Sequence, residues 1–169
     1  NSPLAPEVGL AIARTYEQQA DWAGAITNYD AWLERFTTNS LRPQAEYYRA
    51  WANFQAGYDT NALTLFTNFV AQFQTDRLAP QAQWWVADYY FRRGEFPNAE
   101  KNYQLLFQTW RESDLAYQAW MMAGRAAVAR LGYSDAIGYF TNLTSSLTCP
   151  PELKAQALSA YGDALTHLV

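Results

Sequence analysis

Residues 43–73 read PQAEYYRAWANFQAGYDTNALTLFTNFVAQF, and this stretch decides the fold. Pro43 suits a first helical position, where its missing N–H costs nothing, and Gln44 to Ala56 contain no helix breaker. Gly57-Tyr58-Asp59 supplies a turn, with Gly57 placed to end the helix in a left-handed conformation. From Asn61 onward, Ala62, Phe66, Phe69, Val70 and Phe73 recur at three and four residues, the mark of one buried helical stripe. The stretch is two helices joined by a tight turn.

The same pattern returns along the chain. Pro6, Pro43 and Pro80 are each 37 residues apart, as are Leu4, Leu41, Leu78 and Leu115. Ala25, Ala62, Ala99 and Ala136 keep that interval, and so do Tyr29, Phe66, Tyr103 and Phe140. Large apolar residues hold two more columns: Trp32, Phe69, Leu106 and Leu143, then Phe36, Phe73, Trp110 and Leu147. A second small column runs Ala13, Ala50, Ala87 and Gly124, and reaches Ala160 after a slip of one residue. A fixed period of this length means an array of supersecondary units. Ala50 and Ala62 mark the crossing of the two helices of a unit, where only a small side chain lets the axes approach to about 8 to 10 Å. In the fourth unit Gly132-Tyr133-Ser134-Asp135 reads as the turn, with Ser134 or Asp135 as the cap of the next helix.

Composition narrows the function. The 169 residues carry a net charge of -4, with 50% apolar and 17% aromatic residues. That is too apolar for a disordered tail, and a negative chain offers no net basic field to recruit nucleic acid. One Cys excludes an intramolecular disulfide framework, and one Cys with one His excludes a Cys/His zinc cage. No apolar run reaches the length of a membrane span. The start at Asn1, without Met, suggests a processed chain or a domain cut from a longer one.

The repeat resembles the tetratricopeptide family. A small residue at the eighth place of a unit, Ala at the twentieth, and aromatics at the seventeenth and twenty-fourth correspond to Ala50, Ala62, Phe66 and, in other units, Trp22, Phe96 and Tyr133. The family's early Trp is replaced by Glu46 and Gln83, and the unit is longer than usual. Long units with links such as Leu78-Ala79-Pro80-Gln81-Ala82 resemble the bacterial envelope subgroup, which includes the BamD and YbgF proteins. The resemblance implies an all-α fold: a right-handed superhelix, or solenoid, of antiparallel helix pairs. The repeat then divides one domain into units at about 6–42, 43–79, 80–116 and 117–152, with a partial fifth at 153–169. It implies a non-catalytic scaffold whose first helices line a concave groove for a peptide or partner domain, in the periplasm or cell envelope, with the cytoplasm as the other setting.

In the family register the groove takes Arg14 from unit one, and Tyr47, Trp51 and Phe54 from unit two. It takes Trp84, Asp88, Phe91 and Arg92 from unit three, and Met121 and Arg125 from unit four, with Gln44, Gln81 and Gln118 at the second place of their units. Large aromatics and Arg are enriched in binding hot spots. The same aromatics also suit a core, either member of Tyr47-Tyr48 or Trp84-Trp85 can turn inward, and Arg92 can pair with Asp88 across one helical turn. No metal, cofactor or nucleotide motif is present. His167 and Cys149 read as surface and structural side chains, and Asn142-Leu143-Thr144 as a chance sequon. The last helix carries Leu153, Ala157, Ala160, Tyr161, Ala164, Leu165 and Leu168, more apolar residues than the end of an array needs. Either a fifth unit is cut off and its partner helix is missing, or this face docks on something; homo-oligomerisation through this helix, or docking in a larger protein, is the competing expectation.

Overall fold

The computed structural model describes residues 4–168, and all their regular structure is helical. Among them nine helices follow one another. They are α1 (Ala5–Gln18), α2 (Trp22–Arg35), α3 (Arg42–Gln55), α4 (Asp59–Gln72), α5 (Ala79–Arg92), α6 (Phe96–Thr109), α7 (Ala116–Ala129), α8 (Tyr133–Ser145) and α9 (Pro151–Thr166). First helices start at Ala5, Arg42, Ala79 and Ala116, and second helices at Trp22, Asp59, Phe96 and Tyr133, so the sequence period is carried into the backbone. Two compact units divide between Ala82 and Gln83, inside α5.

In the first unit α1 packs on α2, α2 on α3 and α3 on α4. Tyr29 and Trp32 of α2 are buried with Leu10 and Ala13 of α1 and with Ala45 and Ala52 of α3. The Trp32 indole N–H donates to the Pro6 carbonyl at 2.8 Å, and a Cβ on Gly9 would come within 2.7 Å of the same ring, so the glycine admits the indole. Charge ties the pairs together as well: Arg49 bonds Glu46 at 2.5 Å on its own helix and Asp30 of α2 at 3.1 Å.

In the second unit Ala87 of α5, Tyr103 and Leu106 of α6, and Ala119, Ala123 and Ala126 of α7 form one core. Met121 and Ala127 of α7, Phe140 and Leu143 of α8, Cys149, and Ala157 of α9 form the next. Burial raises the Cys149 thiol above its usual pKa. Arg130 bridges helix pairs, bonding Glu100 of α6 and Asp135 of α8 at 2.5 Å each, while the Tyr139 hydroxyl donates to Glu100 at 3.1 Å.

The turns repeat too. The residue that ends each first helix is left-handed: Ala20 (φ 56°), Gly57 (φ 81°), Gly94 (φ 75°) and Leu131 (φ 66°). In the fourth unit this role falls to Leu131, not to Gly132; Gly132 is the N-cap residue, and Ser134 and Asp135 lie inside the first turn of α8 without capping it. The links between pairs share a side-chain-to-backbone turn at one repeat position. Asn39, Asp76 and Ser113 accept from the backbone N–H two residues on, at 2.9, 2.8 and 3.2 Å.

Two sequence columns break after the fourth pair. Leu147 is 97% exposed, whereas Phe36, Phe73 and Trp110 are half-buried. The cause is local: α8 has 13 residues instead of 14, and Ser146 leaves it extended (φ -67°, ψ 129°), which swings Leu147 out and puts Cys149 into the core. The link to α9 is one residue longer in register, not shorter. Leu153, Ala157 and Ala160 turn toward α8, so the small position of the fifth helix is Gly162, and Ala160 is a packing residue.

Three expectations follow. Ala62 is 2% exposed, so Ala62→Phe overpacks the pair and lowers stability by about 1 to 3 kcal/mol in a urea melt. Leu131 is 71% exposed and held at positive φ, so Leu131→Gly relieves strain and raises stability by up to about 1 kcal/mol. Tyr29 and Tyr103 occupy one repeat position, but the Tyr29 hydroxyl donates to Glu17 at 2.9 Å while the buried Tyr103 hydroxyl finds no protein partner among the described residues. Tyr29→Phe therefore destabilises by about 1 kcal/mol, whereas Tyr103→Phe is neutral or stabilising; equal losses at both sites would contradict this.

Candidate groove on the first helices

In the first unit the side chains expected on the groove divide by burial. Tyr47 is a core residue. Its ring meets Phe66 and Phe69 of α4 edge-on at 5.5 and 5.8 Å, and burial pushes its pKa up to about 12. Trp51 and Phe54, one helical turn apart in α3, are half-buried with ring centroids 5.8 Å apart. Arg14 of α1 is exposed and lies over the Tyr48 ring at 5.1 Å, a cation–π contact that holds its charge at the surface. Beside it, burial raises the Glu17 carboxyl above its usual pKa against the lowering effect of the Tyr29 hydrogen bond and of Arg14.

In the second unit Asp88 and Arg92 satisfy each other at 2.8 Å across one turn of α5, and the Arg92 guanidinium also lies over Trp85 at 5.2 Å. Phe91 packs edge-on to Phe96 at 5.5 Å, at the start of α6. Trp84, Met121 and Arg125 are brought together. They line one cavity of about 210 Å³ with Gln118 and Met122 of α7 and with Leu153 and Gln156 of α9. Trp84 is braced from behind by Tyr103, with ring centroids 5.2 Å apart. Met121 is 3% exposed and closes the floor. The exposed Arg125 guanidinium donates to Gln156 Oε1 at 3.3 Å and approaches the Met122 sulfur at 3.8 Å. Among the described residues it pairs with no carboxylate, so its charge stands at the cavity mouth.

Gln156 and Leu153 are members of this cavity that the sequence reading left out. The signal was the glutamine column: Gln44, Gln81 and Gln118 are 37 apart, and Gln156 follows 38 residues later. Taking the last slip in the opposite direction moved α9 out of register and hid it.

A larger cavity, about 590 Å³, lies on the other side of α7. Successive helical residues turn about 100°, so Ala116 and Trp120 point away from Gln118 and Arg125. Trp120 stacks on Phe107 with centroids 4.7 Å apart and planes 8° apart. It stands at the place held by Glu46 and Gln83 in preceding units, so unit four does carry the early Trp. Its indole N–H is sealed beneath the surface, which makes this ring a packing element between α6 and α7. Among the described residues no group of three His, Cys, Asp or Glu is placed to hold a metal ion, and no helix is long and apolar enough to cross a membrane.

Comparison with known proteins places this geometry. The model of the tetratricopeptide repeat matches residues 10–67 and 60–114. No curated protein sequence matches the chain. Among solved structures, a tetratricopeptide repeat protein from Parabacteroides merdae superposes with a TM-score of 0.75 at 14% identity, over 95% of this chain and 60% of that one. A Podosopora anserina protein with nearly identical TPR-like repeats gives 0.65 at 16% identity, over 99% and 93%. The TPR2AB domain of yeast Sti1, solved in a complex with pHSP90, gives 0.57 at 14% identity, over 99% and 72%. At these identities the structural likeness speaks for the fold. Together with the match of the repeat model to more than half of the sequence, it means that this chain belongs to the tetratricopeptide repeat family.

Proposed function

We propose that the chain is a recruitment module that holds an extended peptide segment along the first helices of its second unit. Tetratricopeptide folds generally serve as protein-interaction scaffolds, and a similar domain is solved in complex with pHSP90. The observation that carries the proposal is Arg125, an exposed guanidinium without a carboxylate partner among the described residues, at the lip of a cavity formed by Trp84 and two methionines. The cavity suits one apolar side chain. Thioethers on rotatable stems adapt to its shape, and the braced indole gives a rigid wall. Arg125 then takes a carboxylate of the peptide, with Gln118 and Gln156 in reach of its backbone. The first unit, taken by itself, presents an exposed Arg14 and the half-buried rings of Trp51 and Phe54 on its first helices. A bacterial cell-envelope setting belongs to this proposal and is supported by the length of the repeat unit and its links.

A library of peptides ending in an apolar residue and a free carboxylate provides the probe. For the best binder, Arg125→Gln weakens binding by roughly ten- to a hundredfold, the loss of one charge-assisted hydrogen bond. Amidating the peptide costs the same factor in the wild type and nothing further in the variant. Equal affinity of the wild type for the acid and the amide would falsify the role of Arg125. An unchanged affinity in Trp84→Ala would remove the cavity from the account.

A further inference from the structure

A break in the repeat opens the larger cavity beside α7. In the first unit Arg42 occupies the corresponding place. Its guanidinium bonds Glu46 at 3.0 Å and donates to the Thr37 carbonyl at 2.9 Å, while Arg49 joins Glu46 to Asp30. Two periods of 37 residues later, Asp30, Arg42, Glu46 and Arg49 become Gln104, Ala116, Trp120 and Ala123. No member of that ion-pair network is kept, and a cavity of about 590 Å³ lies against Gln104, Ala116 and Trp120. The column of Pro43 and Pro80 breaks at the same place, where Tyr117 lines the cavity. The other pairs fold without these residues, and departures from a regular pattern gather where a function is served.

The aromatic lining is held from within the protein. Phe107 stacks on Trp120, and Tyr139 meets Phe107 edge-on with centroids 6.3 Å apart. The Tyr117 hydroxyl bonds Ser146 and Thr148, and the Tyr139 hydroxyl donates to Glu100. All four rings are half-buried, so they wall the cavity while their polar atoms are already engaged. The polar lining is the opposite. Gln104, Gln108 and Asn142 also face the cavity, and their carboxamides make no hydrogen bond among the described residues. Elsewhere in the same unit the Gln83 and Asn102 carboxamides are both bonded. Arg111 and Glu112, from the link between α6 and α7, add one exposed charge of each sign.

We propose that this cavity binds an uncharged saccharide of disaccharide size. A pyranose has an apolar C–H face and a rim of hydroxyls, each of them donor and acceptor at once. Its C–H face suits the negatively polarised face of a fixed aromatic ring, and its hydroxyls suit carboxamides, which present a donor and an acceptor side by side. The other ligand classes fit less well. A lipid chain would cover the three carboxamides without pairing them. A phosphate drawn to Arg111 would meet the Glu112 carboxylate beside it. One aromatic side chain of a partner would leave much of the cavity unfilled, since its volume lies within the roughly 300 to 1,000 Å³ of small-molecule sites.

The inference is independent of the peptide groove, since the two cavities share no lining residue. Saturation-transfer difference spectra of the full chain with cellobiose, maltose and N,N′-diacetylchitobiose test it. At least one of the three is expected to bind saturably. For that sugar, Gln108→Ala and Asn142→Ala are each expected to weaken binding roughly two- to tenfold, the loss of one neutral hydrogen bond. Both side chains are exposed, so circular dichroism is expected to be unchanged in either variant. Ala116→Arg returns to this place the side chain that Arg42 supplies in the second pair, and is expected to abolish binding. Absence of saturable binding by all three sugars overturns the proposal. So does binding that persists in Ala116→Arg, or that is undiminished in both surface variants. N-acetyltyrosinamide is the comparison ligand: if it binds in the cavity and the sugars do not, the site takes an aromatic side chain and the proposal fails.

Discussion

The structure depends on one steric match, a small residue on the first helix of each pair against an aromatic on the second. Gly124 and Phe140 show how tight it is, since a single added methyl would overlap the ring. Ala13, Ala50, Ala87 and Gly124 are buried, as are their partners Tyr29, Phe66, Tyr103 and Phe140. With the axes held this close, the side chains that point up and down the array are left to meet the neighbouring pair. A pair cannot bury those faces by itself, so stacking follows from the match within the pair.

At one repeat position the contacts differ while the period stays. One position on the first helices holds Gly9, Glu46, Gln83 and Trp120 in turn. Gly9 makes room for Trp32, and Glu46 takes Arg42 and Arg49. Gln83 donates from its buried amide to the Asn102 carbonyl and side chain at 3.0 Å each, and Trp120 stacks on Phe107. The links built on Asn39, Asp76 and Ser113 repeat the same side-chain-to-backbone hydrogen bond, so such different contacts coexist with one backbone period.

That period is why the fold could be read from the sequence. A column such as Ala25, Ala62, Ala99 and Ala136 reports burial four times over, and the structure buries all four. Positions that occur once carry no such support. Tyr47 was legible as an aromatic on a first helix, but only the three-dimensional contact with Phe66 and Phe69 shows that it faces inward. The shortening of α8 by one residue is likewise silent in the sequence, and it moved Leu147 to solvent, Cys149 into the core and the register of α9 by one. The cavity residues Leu153 and Gln156 were missed for that reason. Asp88 and Arg92, by contrast, formed the intrahelical pair that their four-residue spacing allows.

The functional account comes down to the Arg125 charge, without a carboxylate partner among the described residues, beside an adaptable apolar cavity. The chain has only two methionines, Met121 and Met122, and both line that cavity. Methyl labelling of methionine therefore gives a spectrum of two resonances that report on this site alone. Addition of a saturating peptide with an apolar residue and a free carboxylate is predicted to shift both methyl signals, whereas a peptide that binds the chain and leaves both signals in place would contradict the account.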